Sequence, residues 1–480
     1  MKLPRQVVIG LGVAAVIAVV VVVLLFMNLS APKKRTITLE PRRVTVDEVT
    51  ARKEVDRRIA DYRAKGEPIG VADFVQKPVD PQDDAAAPYI AAAKWLDTKE
   101  IGDDPVWNLD IIFDKLTDAQ WRQIDAAVKK MAPALAMIDQ ADGRQGADWK
   151  IKMTSPVLRT LLPALNGARQ SANLLQLAAL SAHHAGRHDE VVHRLTQITM
   201  LARHVDAGHS FLVGHLVAIG IARITTQTIT DILPTMNIAP ASVAAPPEGY
   251  ASRAQVNALI AALLDPRTLE NGWQQCALAE RMAGLDSVNC LIDGRLKMQD
   301  LFGDPRQKNA TSMPTPPPAE LLDDLRGMLD FHTALIAATT LDRLPEFRAA
   351  APQPSSVPRS QLGQGLLPSY DRAASVHFAG LTELRLAATA LALRAYAADH
   401  NGALPAALNE LVPQYLPALP DDPLVPAPAT ILYRDGMVYS AGVNEGRLRR
   451  LPSTKSATAK PPPAPAPPTK PDYAIRVIAK

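Results

Sequence analysis

Residues 7–27 read VVIGLGVAAVIAVVVVVLLFM, twenty-one positions without a charge. At about 1.5 Å rise per residue, a helix of that length spans a hydrocarbon core of about 30 Å. The segment is read as a transmembrane helix, so everything after it folds at the end of a tether. A cleaved signal peptide is the competing reading, with Leu29-Ser30-Ala31 as a faint cleavage site. The apolar region of such a peptide runs about 7–15 residues, shorter than this one. A retained anchor, with the lipid bilayer as partner through Val7–Met27, is therefore expected.

Orientation follows less directly. Lys2 and Arg5 precede the helix, while Lys33, Lys34, Arg35, Arg42 and Arg43 follow it. Counted literally, the positive-inside rule leaves the large domain in the cytoplasm, yet long domains translocate largely regardless of charge. A short basic tail running straight into an apolar stretch is also how a signal anchor begins. The expectation is a single-pass protein of a bacterial inner membrane with its large C-terminal region in the periplasm.

The 52 basic and 49 acidic side chains of the 480 residues leave a net charge of +3. A charge so near balance supplies no long-range field for nucleic acid, so no nucleic-acid partner is expected. Two cysteines build neither a disulfide framework nor a four-cysteine zinc site. Cys276 and Cys290 are a disulfide candidate in an oxidising periplasm, but on one continuous helix they would stand about 21 Å apart and could not bridge. The 41 prolines, about 8.5% against a usual 5% or so, punctuate the chain.

Between those prolines the periodicity is helical. Asp47–Lys65 reads as an exposed amphipathic helix stopped by Gly66. Thr117 to about Leu233 is helical almost throughout, with Val191, Leu195, Ile198, Ala202 and Val205 drawing one apolar stripe. Residues 182–190, AHHAGRHDE, resemble the turn of a tetratricopeptide-type helix pair, although no 34-residue repeat continues. Further helices are expected at Ala251–Leu301, Ala319–Asp342 and up to Ala398, where Asn401-Gly402 supplies a left-handed stop. Asp435-Gly436 between Ile431–Arg434 and Met437–Ser440 predicts a two-residue hairpin. Tyr473–Ile478 alternates as a strand that can add to a sheet edge.

Two stretches carry resemblances. Gly66-Glu67-Pro68-Ile69, Ala72-Asp73-Phe74 and Asp84-Ala85-Ala86-Ala87-Pro88-Tyr89 resemble the opening of an uncharacterised bacterial family of single-pass, membrane-anchored helical proteins, with Asp84 where that family usually has asparagine. Tyr396, Asp399, Asn401, Gly402, Leu404, Pro405, Asp422, Pro423, Tyr439, Ser440 and Gly442 follow the order found at the globular end of the type II secretion system major pseudopilin. That second likeness implies a small α+β module and a place outside the cytoplasm. The prepilin-peptidase signature before the hydrophobic helix is missing, which argues against processing as a pilin subunit. The Asp-rich calcium loop of such modules is replaced by Val443–Arg447, where Asn444 and Glu445 offer too few oxygen ligands.

The fold expected is thus mainly α: a transmembrane helix, a helical-hairpin body and a small C-terminal pseudopilin-like α+β module. The divisions are an anchor with basic flanks at 1–35, a helical body at 36–345 that can subdivide near 235–250, and a Pro/Ser/Gly-rich linker at 346–368. The module follows at 369–450, then a Pro/Ala-rich spacer at 451–472 and a terminal strand at 473–480.

Seven of the ten histidines fall between His183 and His215. His188 and His193 superficially resemble a zinc-protease pair, but that motif needs histidines four apart, and a spacing of five points the rings about 140° apart. His184 and His188 have the four-residue spacing with the helix-breaking Gly186 between them. His184, His188 and His193 remain weak metal candidates against the plainer reading of histidines at a polar helix seam. There is no P-loop, Gly-x-Ser-x-Gly elbow or haem-attachment motif, so no catalytic or cofactor-binding residue is named and no cofactor is implied. The function expected is that of an extracytoplasmic structural or protein-interaction protein with envelope protein partners, linked to envelope or secretion machinery. The alternative is a histidine-dependent metal- or haem-binding protein or metalloenzyme using the His183–His215 cluster.

Overall fold

The computed structural model describes residues 47–109, 113–162, 164–302, 313–352, 362, 366–367, 370–442 and 473–477. The expected anchor Val7–Met27, most of the 346–368 linker and the 451–472 spacer lie outside the described residues.

The described chain is mainly helical with one small antiparallel sheet. Helix α1 (Glu48–Ala64) begins where the Asp47 carboxylate accepts the Thr50 amide and ends before Gly66 at φ 72°. It is less exposed than its charges suggest: Ala51, Val55 and Tyr62 form one buried stripe. After α2 (Ala86–Leu96), α3 (Asp118–Lys130) and α4 (Ala132–Asp139), the chain is non-helical from 147 to 154, with Lys150 at φ 56°, interrupting the helical run expected there.

The helical hairpins follow. Helices α5 (Ala164–His184) and α6 (His188–Gly208) are joined through Gly186 at φ 76°, and α7 (Leu212–Ile232) folds back beside α6. The stripe Val191, Leu195, Ile198, Ala202 and Val205 is completely buried, as its spacing requires. Helix α8 (Arg253–Leu264) opens on a Ser252/Gln255 capping box. Helices α9 (Glu270–Ile292), α10 (Pro318–Ala338) and α11 (Leu344–Ala350) lead to α12 (Tyr370–Asp399), thirty residues long.

Helices α7 and α12 are each long and apolar enough to cross a membrane, yet 67% and 83% of their most apolar windows are buried inside this body. Alanines let neighbours approach α12 closely: Ala387, Ala388, Ala390, Ala392 and Ala395 are fully buried among α7, α8 and the sheet. One hydrophobic core therefore runs from Ala85 to Val477. It does not divide at 346–368, so the long helix of the C-terminal module belongs to the core of the body. A smaller core joins α1, the second half of α9 and α10.

The sheet is ordered β1 (Leu432–Arg434), β2 (Met437–Tyr439), β3 (Ala474–Arg476), antiparallel throughout. Asp435 and Gly436, both at positive φ, make the expected hairpin. Val438 pairs with Ile475, and both are buried beside α12. The terminal strand thus adds to this chain's own sheet. The Asp-Pro and Tyr-Ser-x-Gly segments meet physically. The buried Asp422 carboxylate accepts from Ser440 Oγ at 2.7 Å and from the Ala441 and Leu424 amides at 3.0 and 3.1 Å.

The Gly66-Glu67-Pro68 turn has an equally definite role. Arg281 on α9 has a side chain that is 0% exposed. It donates to Glu67 Oε2 at 2.6 Å and to the Pro68 carbonyl at 3.2 Å, with its guanidinium 4.1 Å from the Tyr62 ring centroid. Removing one partner of a buried pair strands the other charge, which typically costs about 3–5 kcal/mol. Because Glu67 itself is partly exposed, Glu67→Ala should cost about 3 kcal/mol in urea unfolding. Adding Arg281→Met should restore most of that loss, and an additive double variant would contradict the account.

Candidate functional site

The histidines singled out by spacing are dispersed. His184 stacks on Trp121 with centroids 4.3 Å apart, and its Nδ1 stands 4.0 Å from Asp125 Oδ2. His188 is buried at the start of α6, edge-on to His183 at 5.0 Å, and burial holds it below the usual imidazole range. His193 lies further along α6, with Nε2 2.7 Å from Asp142 Oδ2. Asp139, Asp142 and His193 bring ligand-type atoms within 4.8 Å of one another. The Arg194 guanidinium already bonds Asp139, and Gln197 Nε2 donates to both carboxylates at 2.9 Å. His184 and His188 are not part of that group. Cys276 and Cys290 both lie on α9 as free, buried thiols. Their separation of fourteen residues is about 21 Å along the axis, so the candidate disulfide does not form. Burial pushes both thiols upward, Cys276 well above the ordinary range.

A different constellation is assembled by the packing of α6, α7, α9 and α12. Asp206, in the last turn of α6, holds His215 of α7 through a 2.6 Å Oδ1–Nδ1 contact. His215 Nε2 meets His377 Nδ1 of α12 at 3.1 Å, and the Trp273 indole of α9 stacks on His377 at 4.9 Å. All four side chains are buried. Burial raises the Asp206 carboxyl, and the neighbouring His215 opposes that rise. Burial, followed by the positive fields of His215 and Arg385, drives His377 well below the usual imidazole range. Gly272 is required here because a Cβ at that position would sit 2.1 Å from Asp206 Oδ2.

Asp206 also lines a cleft of about 490 Å³ between the end of α6, the first turn of α9 and residues 145–147, within the range usual for ligand sites. Beside Asp206 stands His204, 1% exposed and lowered to about 4, first by burial and then by Arg203. Its backbone carbonyl accepts the Trp149 indole N–H at 2.9 Å, tying the non-helical segment 147–154 to the helix end. Glycine at 208 leaves room for that indole, since a Cβ would approach Trp149 Cδ1 to 2.1 Å. Two guanidiniums, Arg203 and Arg267, share Asp265. Carboxamides of Gln76, Gln145, Asn271 and Gln275 complete the polar wall.

Spacing along one helix was the wrong signal for this site. Asp206 and His215 face each other across a helix–helix connection, and His377 is 162 residues beyond His215. The one local hint was that both His204 and His215 belong to the histidine-rich stretch.

No family profile, curated protein or solved structure matches this chain.

His204, His209 and His332, each about 1% exposed, are lowered to about 4 by burial. Unfolding returns them to about 6.5, so below that pH the unfolded chain binds protons that the folded chain refuses. This penalty begins near pH 6.5 and is complete near pH 4. Each histidine removes up to about 1.4 kcal/mol per pH unit in that window. Urea unfolding should therefore show less stability at pH 5 than at pH 7.5, the raised carboxyls of Asp206, Glu280 and Glu383 offsetting part of the histidine loss. A flat profile would mean that these imidazoles are protonated inside the fold.

Proposed function

We propose that this chain is a membrane-anchored, extracytoplasmic binding protein of the envelope, whose helical body offers the cleft beside His204 and Asp206 to a partner. The observation that carries this reading is the cleft itself, a concave site of mixed polar and apolar lining with a buried histidine and a buried carboxylate among its lining groups. Perturbed titratable groups in such a concavity mark functional sites more often than ordinary surface. The uncharged run Val7–Met27 supports the anchor, and the likeness of residues 381–447 to a secretion pseudopilin supports an outward-facing body near secretion machinery.

The cleft is braced by buried contacts. Trp149 clamps it from one side, and the Asp206–His215–His377 array braces it from beneath. Such bracing favours recognition, because a preorganised site spends less free energy on ordering when its partner arrives.

The test places a photocrosslinking amino acid at Gln275, on the exposed wall of the cleft, in the full-length protein in intact cells. The matched control is Val243, an exposed residue in the loop beside the opposite end of α6, a helix of twenty-one residues and so about 30 Å long. A discrete adduct from Gln275 and none from Val243 is expected. No adduct from Gln275, or the same products from both positions, would overturn the reading. A phosphatase fused after Lys480 should be active if the body faces outward and silent if it faces the cytoplasm.

A further inference from the structure

We infer, on the premise that the cleft is the binding site, that its ligand is a carbohydrate whose hydroxyl groups pair with the carboxamides of Asn271 and Gln275 and with the His204 ring.

The wall is built from groups that both give and accept hydrogen bonds. Each carboxamide of Gln76, Asn271 and Gln275 sets an acceptor oxygen beside a donor nitrogen, whereas that of Gln145 is already held by the Gly143 carbonyl and Arg203. Neighbouring sugar hydroxyls, which each donate and accept, match that pairing. Two cleft groups are also buried without a well-formed partner in the protein. Gln76 Oε1 has none. Neither ring nitrogen of His204 has one either, the Arg144 carbonyl being the one backbone acceptor near enough to bias the ring. Because His204 stays neutral near pH 7, one of its nitrogens donates and the other accepts. A ligand hydroxyl satisfies either.

Other ligand classes fit less well. The two cations are already engaged: Arg267 closes on Asp265 through Nε and Nη2, and Arg203 divides its donors between Asp265 and Gln145 at 3.3 Å each. An incoming carboxylate or phosphate must displace Asp265 while facing Asp206 across the same cleft. A peptide needs side-chain pockets as well as main-chain bonds, and the only apolar side chains lining the cleft are the small ones of Val79, Ala147 and Ala207. An apolar ligand leaves the carboxamides and the imidazole desolvated and unpaired, which is costly.

The experiment is isothermal titration of the full chain, purified in a sugar-free detergent, with maltose, cellobiose and chitobiose. Parallel titrations use soluble glycan strands released from bacterial cell wall, and citrate, inorganic phosphate and tri-alanine. Saturable binding of a disaccharide or of the glycan strands is expected, weakened at least tenfold by Asn271→Ala/Gln275→Ala. Both positions are exposed, so the double variant should keep the wild-type thermal midpoint. Glycan strands binding tenfold tighter than any disaccharide would identify an envelope glycan, and the reverse a free sugar; either supports the inference. No binding by any saccharide arm, preferential binding of citrate, phosphate or tri-alanine, or unchanged affinity in the double variant would overturn it. A persistent Gln275 crosslink with no saccharide binding sinks the carbohydrate assignment and leaves the binding reading intact. Loss of both sinks both.

Discussion

The structure depends on covering α12. Thirty residues long and buried over most of its surface, this helix needs apolar partners on nearly every side, and α7, α8, α11 and the three-stranded sheet supply them. Because burial of apolar surface scales with area, at roughly 25 cal/mol per Å², a helix enclosed in this way dominates the stability of whatever surrounds it. The requirement explains why the C-terminal module cannot stand apart from the body. Its sheet is only three residues deep per strand, too small to be stable alone, and it is completed by β3, which packs Ile475 beside α12.

Enclosure also decides what happens to polar groups that α12 and its neighbours carry inward. His377 on α12 is buried, and its Nδ1 is met by His215, which is held in turn by Asp206. Arg281 on α9 is handled in the same manner, its charge met by Glu67 and the Pro68 carbonyl, with the Tyr62 ring below. These two buried networks differ in one consequential respect. The Arg281 network runs from a buried guanidinium to the partly exposed Glu67 and reads as a bolt between the first helix and the body. The Asp206 network ends at a residue that lines the cleft, so the array that braces the interior lies directly behind its wall.

Much of the local structure was legible in the residues. The stop at Gly66, the turn at Gly186, the stripe from Val191 to Val205 and the Asp435-Gly436 hairpin all appear where φ preference and period place them. The expectation for Asp47–Lys65 went astray in degree, because a helix that charged seemed free of the body, whereas Val55 and Tyr62 are anchored beside α10. The cysteine question was settled by a single fact that periodicity left open, the continuity of α9 from Glu270 to Ile292.

The sequence by itself determined that this chain would be a set of amphipathic and fully apolar helices punctuated by proline and glycine, with one short hairpin near its end. Those properties are local, set by backbone φ preference and by which faces of a 3.6-residue period are apolar. Only the tertiary structure decided that Asp206, His215, His377 and Trp273 would share one buried array, that Gln145 would face Asn271 and Gln275 across a cleft, and that Asp422 would be capped by Ser440. Such meetings are fixed by how helices pack over separations of up to 162 residues. No local period encodes that packing, because many pairings of the same apolar faces bury similar area, and the burial and pairing of these few polar groups distinguish the one adopted.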